Sequence, residues 1–281
     1  MKKKWKYFLQ RILVNKISYA IFSPMIFFSE RIKASRSDYI NREIKETSEK
    51  IAENIFDSKI VLHGPFKGMV YAKARGQGSS YYAKLLGSYE KEIHPFIFTA
   101  FDNLYVSIIN IGCDDGYYAI GLASHFKNIP VHAFDTNPKA LWNAKHLAAE
   151  NNVETYLHFS GTFTNSMTND FSKGRSLFIV DCEGDEINIF TKTNAANFQT
   201  SDLLIELHLH LNPSAVFYFT SLFSASHHIE IVDSVPDHLK AMHYNYPEIK
   251  DLDYKTRLFI VEEREVFMQW IFLTAKNPCL E

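Results

Sequence analysis

From about Asp102 onward, short apolar runs alternate with stretches of helical periodicity. The pattern predicts seven strands: Tyr105–Ile111, Val131–Phe134, Thr155–Phe159, Leu177–Val180, Leu203–Leu207, Ile229–Val232 and Met268–Thr274. Helices are predicted between the earlier strands, for instance over Tyr117–Phe126 and Lys139–Asn151. Strands that alternate with helices predict an α/β fold, with a mostly parallel, doubly wound sheet covered on both faces.

Ahead of this region the periodicity is helical. Isoleucines at helical spacing predict a helix from about Asp38 to Phe56, and a second is expected from Ser80 to about Ala100. Between them, residues 60–62 and 69–71 are typical of two short strands around turn glycines. We therefore divide the chain into a helical extension (1–58), a lead-in segment (59–103) and a Rossmann-like domain (104–281).

The first 56 residues carry twelve Lys or Arg against six Asp or Glu, although the whole chain has a net charge of −2. Apolar residues recur at helical spacing among the bases of residues 1–16: Trp5, Phe8, Leu9 and Ile12. An uncharged stretch, Ile17–Ser29, follows and is interrupted by Pro24; it is too short for a membrane span, which needs roughly 20 apolar residues. Peripheral membrane contact through residues 1–30 and packing against the domain or a second subunit both remain open.

The amino-acid composition narrows the classes of protein and of partner to be considered. The chain of 281 residues is 46% hydrophobic and 22% charged, which is typical of a soluble globular protein. A net charge of −2 gives no reason to expect a nucleic-acid partner. Three scattered cysteines predict neither a disulfide framework nor a zinc site, so a reducing, cytoplasmic interior is the simpler interpretation.

The first predicted strand runs directly into a glycine turn, Gly112-Cys-Asp-Asp-Gly116, which precedes a helix. Dinucleotide sites use G-x-G-x-x-G, whose second glycine makes room for a pyrophosphate. Here that position is Asp114, whose negative charge disfavours a diphosphate and tolerates a ligand with an amino group. The second strand ends at Asp135, where a carboxylate can accept both ribose hydroxyls. Together these features favour S-adenosylmethionine (SAM), which carries an ammonium and a sulfonium.

Four segments resemble FkbM-type SAM-dependent methyltransferases. They are Gly87-Ser-Tyr-Glu90, Ile111-Gly-Cys-Asp-Asp-Gly-Tyr-Tyr118, Phe134-Asp-Thr-Asn-Pro138, and Val180-Asp-Cys-Glu-Gly-Asp-Glu186 followed by Leu204-Ile-Glu-Leu207. The resemblance covers about Leu85–Lys276 and implies a class I methyltransferase fold that methylates a hydroxyl of a sugar, lipid or secondary metabolite. It also implies cofactor contacts from Glu90 and Asp181. The chain departs from the family at Asn110, where an acid is usual, and at Cys113-Asp114.

A hydroxyl nucleophile benefits from a base within hydrogen-bond reach. Asp181, Glu183 and His208 are our catalytic candidates, because they follow the fourth and fifth predicted strands. Glu183 and Glu186 could instead neutralise a helix N-terminus, and His210 would point away from His208 if the strand continued. His227 and His228 are expected at the surface.

The predicted SAM contacts are Glu90, Asn110, Gly112, Asp114, Gly116, Asp135 and Asp181. Asp181, Glu206 and His208 could also form a hard-metal cluster, but carboxylates beside SAM need no ion, so we assign no metal. The acceptor is expected to be a small molecule or glycan, and a homo-oligomer stays open. Two other functions remain: an enzyme for a nucleotide sugar or other nucleoside, and a binding protein without catalysis.

Overall fold

The computed structural model describes residues 7, 10, 16–72, 80–264 and 266–278. The chain divides into two compact units, Met1–Ile51 and Ala52–Glu281. The predicted helix of Trp5 and Ile12 lies largely outside the described residues. The predicted segment boundaries after residues 58 and 103 stay predictions.

A seven-stranded sheet organises the second unit, in the order β3-β2-β1-β4-β5-β7-β6. Its strands are β1 (Ser107–Ile111), β2 (Val131–Phe134), β3 (Leu157–Ser160), β4 (Ser176–Val180), β5 (Asp202–Leu207), β6 (His227–Asp233) and β7 (Gln269–Ala275). The pairings among β1 to β5 are parallel, whereas β7 is antiparallel to both of its neighbours. The predicted α/β fold with a mostly parallel, doubly wound sheet is therefore confirmed, and a strand forms at each of the seven predicted positions.

Helices cover the sheet on both faces. Those of the second unit are α2 (Tyr81–Leu86), α3 (His94–Phe101), α4 (Tyr117–His125), α5 (Pro138–Glu150), α6 (Glu186–Ile189), α7 (Ala215–Phe223), α8 (Asp237–His243) and α9 (Tyr254–Val261); α1 (Lys16–Ile55) lies mostly in the first unit. Alternate residues of β1 enter opposite core layers, Ile108 with α4, α5 and α9, and Ile109 and Ile111 with α7. Burial on both faces explains why β1 is a continuous apolar run apart from Ser107 and Asn110.

The strand order places a switch point between β1 and β4. β2 and β3 extend the sheet to one side of β1, and β4 and β5 extend it to the other. The loops that follow β1 and β4 therefore diverge above the carboxyl ends of adjacent strands, which is where open α/β sheets bind ligands. The candidate site lies at this edge.

The helix predicted from Ser80 to Ala100 is wrong, because the chain forms α2 and α3 with a break between them. Gly87 ends α2 in the left-handed conformation, with φ 75°, and a Cβ there would lie 2.0 Å from the carbonyl oxygen of His63. Glu90 also has a positive φ, of 48°. The break therefore places Glu90 in a turn rather than on a helix.

Three further expectations need correction. Residues 60–62 and 69–71 form only one isolated antiparallel bridge, between Ile60 and Val70, rather than two strands. The helix predicted from Asp38 is longer than expected, since it is described over Lys16–Ile55 and contains Pro24. His227 is buried at the start of β6, where its Nε2 lies 3.0 Å from the carbonyl oxygen of Ser201, whereas His228 is exposed.

Candidate functional site

The turn after β1 is held by the strands on both of its sides. The N–H groups of Gly112 and Cys113 both donate to the carbonyl oxygen of Phe134, each at 2.9 Å. Gly112 has φ 74°, and a Cβ there would lie 1.5 Å from the carbonyl oxygen of Asp181. Its missing side chain thus admits the backbone of β4's end. The N–H of Asp181 donates to the carbonyl of Ile111 at 2.9 Å. The glycine turn therefore lies next to residues 181–186, which we call the acidic segment.

Gly116 closes the same turn and begins α4, with φ 89°. A Cβ there would lie 2.8 Å from the side chain of Ile120 and 3.0 Å from that of Ala144. Gly116 is therefore required by backbone conformation and by the packing of α4 against α5. Backbone conformation and packing therefore explain the glycines at both positions of the turn without reference to a ligand.

Asp135 ends β2 as predicted and holds two backbone groups. Its Oδ2 accepts the N–H of Asp114 at 2.8 Å, and its Oδ1 accepts the N–H of Asn137 at 2.7 Å. A carboxylate has about four lone-pair positions, so each oxygen keeps acceptor capacity. The half-buried group is fixed in orientation and can still accept hydrogen bonds from a diol.

Asn110 lies in the middle of β1 and is only 2% exposed. Its Nδ2 donates to the carbonyl oxygen of Ile179 at 3.2 Å. Its Oδ1 is buried and has no hydrogen-bond partner in the part of the chain that the structure describes. A buried acceptor without a partner is costly, which marks Asn110 as a position where a ligand donor would be stabilising.

Asp114 is exposed on the turn, and a lysine lies behind it. Lys84 is 5% exposed, with Nζ 3.9 Å from Asp114 and 3.5 Å from Asp115. The ammonium also lies 4.9 to 5.7 Å from the ring centroids of three tyrosines: Tyr71, Tyr89 and Tyr117. Ion pairing and cation–π contacts together hold this ammonium beneath the turn. Sequence reasoning missed Lys84, which lies in α2 outside every motif.

The three predicted catalytic residues lie together. His208 directly follows β5, is 1% exposed, and its Nδ1 lies 2.9 Å from Glu186 Oε1. Its Nε2 lies 3.3 Å from Glu183 Oε2 and 3.6 Å from Asp181 Oδ1. His210 is exposed because β5 ends at Leu207 and the chain turns. Nδ1 of the imidazole is thus held by Glu186, and Nε2 faces the carboxyl groups of Asp181 and Glu183.

Glu186 has a double role within the acidic segment. Its Oε1 accepts the N–H groups of Cys182 at 3.3 Å and Gly184 at 3.1 Å, in addition to its contact with His208. The backbone contacts agree with the structural interpretation of this acid at the start of α6. In the segment Val180–Glu186, which we call the signature segment, the position of Glu186 is explained by these contacts. Glu186 joins the turn after β4 to the histidine after β5.

A second ionic network adjoins the first. Arg264 donates from Nη1 to Glu206 Oε1 and from Nη2 to Glu90 Oε1, and the Tyr118 hydroxyl donates to Glu90 Oε2. Glu206 lies in β5, next to His208 in space, and its charge interacts with Asp181. Arg264 thus links the predicted residue Glu90 to the catalytic candidates. Sequence reasoning missed Arg264, because it follows α9 and belongs to no local motif.

Titration of the cluster follows from its burial and its excess of acids. Burial, then the charges of Glu206 and Glu90, raise the pKa of Asp181 well above its usual range. Burial and the charge of Glu90 also raise the pKa of Glu206, although Arg264 opposes them. Burial lowers the pKa of His208, but the hydrogen bond and charge of Glu186, with the other acids, outweigh it, so the net shift is upward.

Three predicted site acids have backbone conformations that are uncommon for residues other than glycine. The φ angles are 48° for Glu90, 44° for Asp114 and 56° for Glu183. Each such conformation costs of order 1–3 kcal/mol and concentrates at functional sites. The three acids lie on three separate turns, after α2, β1 and β4, so the strain is shared by the loops of the candidate site.

One group in the described part of the chain could hold a metal ion. Asp181, Glu206 and His208 each offer a ligand atom, and these atoms all lie within 4.8 Å of one another. Glu186 on the far nitrogen of His208 is the carboxylate that commonly orients a metal-bound histidine. The donor set therefore fits a divalent ion as well as a proton shared among the same groups.

Comparisons with known proteins give no family assignment. No family model matches the chain, and no curated protein matches it. Solved structures resemble it at low identity. An rRNA methylase from Streptococcus thermophilus has a TM-score of 0.43 and 10% identity, covering 65% of this chain and 96% of that one.

Two complexes are similar over a larger share of the chain. The O-methyltransferase TomG from Streptomyces achromogenes, in complex with SAM, has a TM-score of 0.44 and 11% identity, covering 83% of this chain and 90% of that one. A geranyl diphosphate methyltransferase, in complex with GPP and sinefungin, has a TM-score of 0.42 and 12% identity, covering 81% and 98%. With TM-scores below 0.5, function has to be argued from the site.

Proposed function

We propose that this protein transfers a methyl group from SAM to a hydroxyl of a sugar, glycan or other small acceptor. The observation that carries the proposal is His208, which is held by Glu186 on one nitrogen and faces Asp181 and Glu183 with the other. This group lies beside the glycine turn, at the switch point of the sheet. A buried, oriented base next to a nucleoside-type turn is an arrangement suited to hydroxyl methylation.

Several residues are candidates for contacts with SAM. Asp135 would accept hydrogen bonds from the ribose hydroxyls, with Gly112, Asp114 and Gly116 forming the turn beside the methionine part. The buried Oδ1 of Asn110, which has no hydrogen-bond partner among the described residues, would accept a hydrogen bond from an ammonium that reached it. Five carboxyl groups surround the single permanent cation Arg264 in the two networks, so a positively charged ligand would be stabilised there: they are Glu90, Asp181, Glu183, Glu186 and Glu206.

His208 is proposed as the general base. Glu186 is the acceptor for an Nδ1–H, and its pKa is lowered because hydrogen bonds to His208 and to backbone N–H groups offset its burial. That contact favours the tautomer whose lone pair is on Nε2, the nitrogen that faces Asp181 and Glu183. The acceptor hydroxyl gives its proton to Nε2 as its oxygen bonds to the methyl group. Bound SAM would supply the electrophilic methyl group and would leave as S-adenosylhomocysteine.

The FkbM subtype is part of this proposal. In the signature segment, Asp181 and Glu183 face His208, Gly184 adopts a φ of 100°, and Glu186 binds the histidine. Three of the four acids of that segment, Asp181, Glu183 and Glu186, therefore meet around His208. The FkbM subtype is supported by the contacts that join these residues and Glu90 in neighbouring ionic networks.

A divalent ion at Asp181, Glu206 and His208 is a second way to activate the same hydroxyl. The specific observation in its favour is the short separation of the three ligand atoms. In that case His208 would be a ligand instead of the base, and the ion would lower the pKa of the hydroxyl.

The experiment measures S-adenosylhomocysteine formed from SAM with a panel of simple sugars and glycosides, with and without EDTA. His208→Ala should reduce product formation by about 10²–10⁴-fold, whereas His210→Ala, which alters an exposed histidine two residues away, should not. Loss in EDTA with recovery in Mg²⁺ or Mn²⁺ would favour the metal. SAM binding without turnover by any acceptor would favour the non-catalytic alternative, and absence of SAM binding would favour another nucleoside ligand.

A further inference from the structure

We infer that the exposed part of α1 is a docking surface for an anionic lipid bilayer. Within the unit Met1–Ile51, every side chain from Pro24 to Glu43 is exposed. Four large apolar residues are more than half exposed in just over two helical turns: Met25 at 70%, Phe27 at 61%, Phe28 at 67% and Ile32 at 53%. A cluster of this kind on a soluble surface marks an interaction site.

The distribution of these residues around the helix favours lipid over a protein partner. Residues 25–28 are four consecutive apolar positions, Met-Ile-Phe-Phe. Successive helical residues point about 100° apart, so these four cover all sides of the helix. A packed protein partner covers one face, whereas the boundary between headgroups and acyl chains can surround a short helical segment.

A second copy of the chain fits the pattern poorly. A coiled-coil seam through Met25, Phe28 and Ile32 would continue at Ser35, Tyr39 and Arg42. The seam therefore loses its apolar character after less than two heptads, while a coiled coil needs about three to four.

Charge on both sides of the apolar stretch identifies the lipid. The uncharged residues 17–29 are preceded by six bases and no acid in residues 1–16, and are followed by Arg31, Lys33 and Arg36 against Glu30. The guanidinium of Arg31 lies 5.6 Å from the ring centroid of Phe27. Basic residues around aromatic ones are the pattern that binds anionic headgroups while rings enter the interface.

The stretch is too short to cross the bilayer. Thirteen helical residues extend about 20 Å, less than the hydrocarbon thickness of about 30 Å. Among the described residues no helix is long and apolar enough to span a membrane. The docking is therefore peripheral, with the apolar residues at the boundary between headgroups and acyl chains.

The test is co-sedimentation of the full chain with vesicles of phosphatidylcholine, alone or with phosphatidylglycerol. We expect binding to the anionic vesicles, weaker binding in high salt, and a loss of about tenfold or more in the double variant Phe27→Ser/Phe28→Ser. The matched control is Phe217→Ser, which alters a phenylalanine of α7 that is 77% exposed and should leave binding unchanged.

Three results would overturn the inference. The first is equal sedimentation of the chain and the double variant, and the second is equal binding to neutral and anionic vesicles. The third is no vesicle binding by a chain that light scattering shows to be a dimer, with the dimer lost in the double variant. Circular dichroism and SAM titration of each variant separate these results from misfolding and from failure of the proposed function.

Discussion

His208 depends on its neighbours for both its position and its charge. The residue is buried, yet Nδ1 is held by Glu186, and Nε2 faces two further acids. Such a group is useful as a base only when it is neutral. Its activity should therefore follow pH through the raised pKa of the imidazole.

The first prediction concerns this pH dependence. Because the pKa of His208 lies above its usual value, turnover should fall as pH decreases through a midpoint above the ordinary histidine range of about 6.5. Glu186→Gln removes an interaction that raises this pKa, so the midpoint should move to lower pH. The measurement is the rate at saturating SAM across pH. An unchanged midpoint in Glu186→Gln would show that the titrating group is not His208.

The second prediction is the size of the catalytic effect. His208→Ala should reduce turnover by about 10²–10⁴-fold, the typical contribution of a general base. Asp181→Asn should also slow turnover, since Asp181 Oδ1 lies 3.6 Å from Nε2 of His208, the proposed base. Calorimetric SAM affinity of each variant is the control. Near-normal turnover in both variants would place the base elsewhere or leave positioning as the source of rate.

The third prediction concerns Asp135. Asp135→Ala should weaken SAM binding by roughly 2–4 kcal/mol, because two charge-assisted hydrogen bonds to the ribose are lost. The same carboxylate holds the N–H groups of Asp114 and Asn137, so the thermal midpoint has to be measured in parallel. Asp251→Ala, at an exposed aspartate, is the matched control. Unchanged SAM affinity in Asp135→Ala would remove Asp135 from the ribose site.

At the scale of elements, the turn after β1 joins three strands. The N–H of Gly112 donates a hydrogen bond to the carbonyl oxygen of Phe134 in β2. The Cα of Gly112 also lies close to the backbone of Asp181, which follows β4. The turn therefore sets the distance between the glycine segment and the acidic segment. A residue larger than glycine at position 112 would have to separate them.

The fourth prediction compares two glycines of positive φ. Gly112→Ala adds left-handed strain and a Cβ 1.5 Å from the Asp181 carbonyl oxygen, so it should lower the free energy of unfolding by more than about 3 kcal/mol. Gly68 has φ 93°, but a Cβ added there would meet no atom within 4 Å, so Gly68→Ala should cost about 1–2 kcal/mol. Urea unfolding measures both. Equal losses would mean that the close contact with β4 is relieved at no cost.

Sequence patterns predicted the sheet better than they predicted the segments before it. Burial on both faces makes each central strand a short apolar run, so β1, β4 and β5 are evident from composition. The break at Gly87 was not predicted, because the apolar periodicity of residues 85–97 continues across it. The close approach of Gly87 to the backbone of His63 decides that break, and it is a contact between segments distant in sequence.

The same distinction holds for the site. Asp181, Glu183 and His208 follow strand ends, so their meeting could be predicted from topology alone. Lys84 and Arg264 reach the site from α2 and from the segment after α9, where no local pattern reports their partners. A sequence pattern usually predicts that Lys and Arg side chains are exposed, and only the tertiary contacts show that these two are buried or half-buried.

At the scale of the whole molecule, the α/β unit and the basic N-terminal unit carry different functions in our account. The proposed SAM site uses residues from Glu90 to Arg264, all within Ala52–Glu281, whereas the proposed lipid surface lies within Met1–Ile51. Loss of lipid binding should therefore leave SAM affinity unchanged.

Calorimetric titration of the full chain with SAM, followed by competition with S-adenosylhomocysteine, tests the central claim most directly. The account predicts binding at a single site per chain, displacement of one ligand by the other, and marked weakening in Asp135→Ala but not in Asp251→Ala. Folded protein that gives no binding heat with either compound, and no protection of its thermal midpoint by them, would contradict the claim that this site holds SAM.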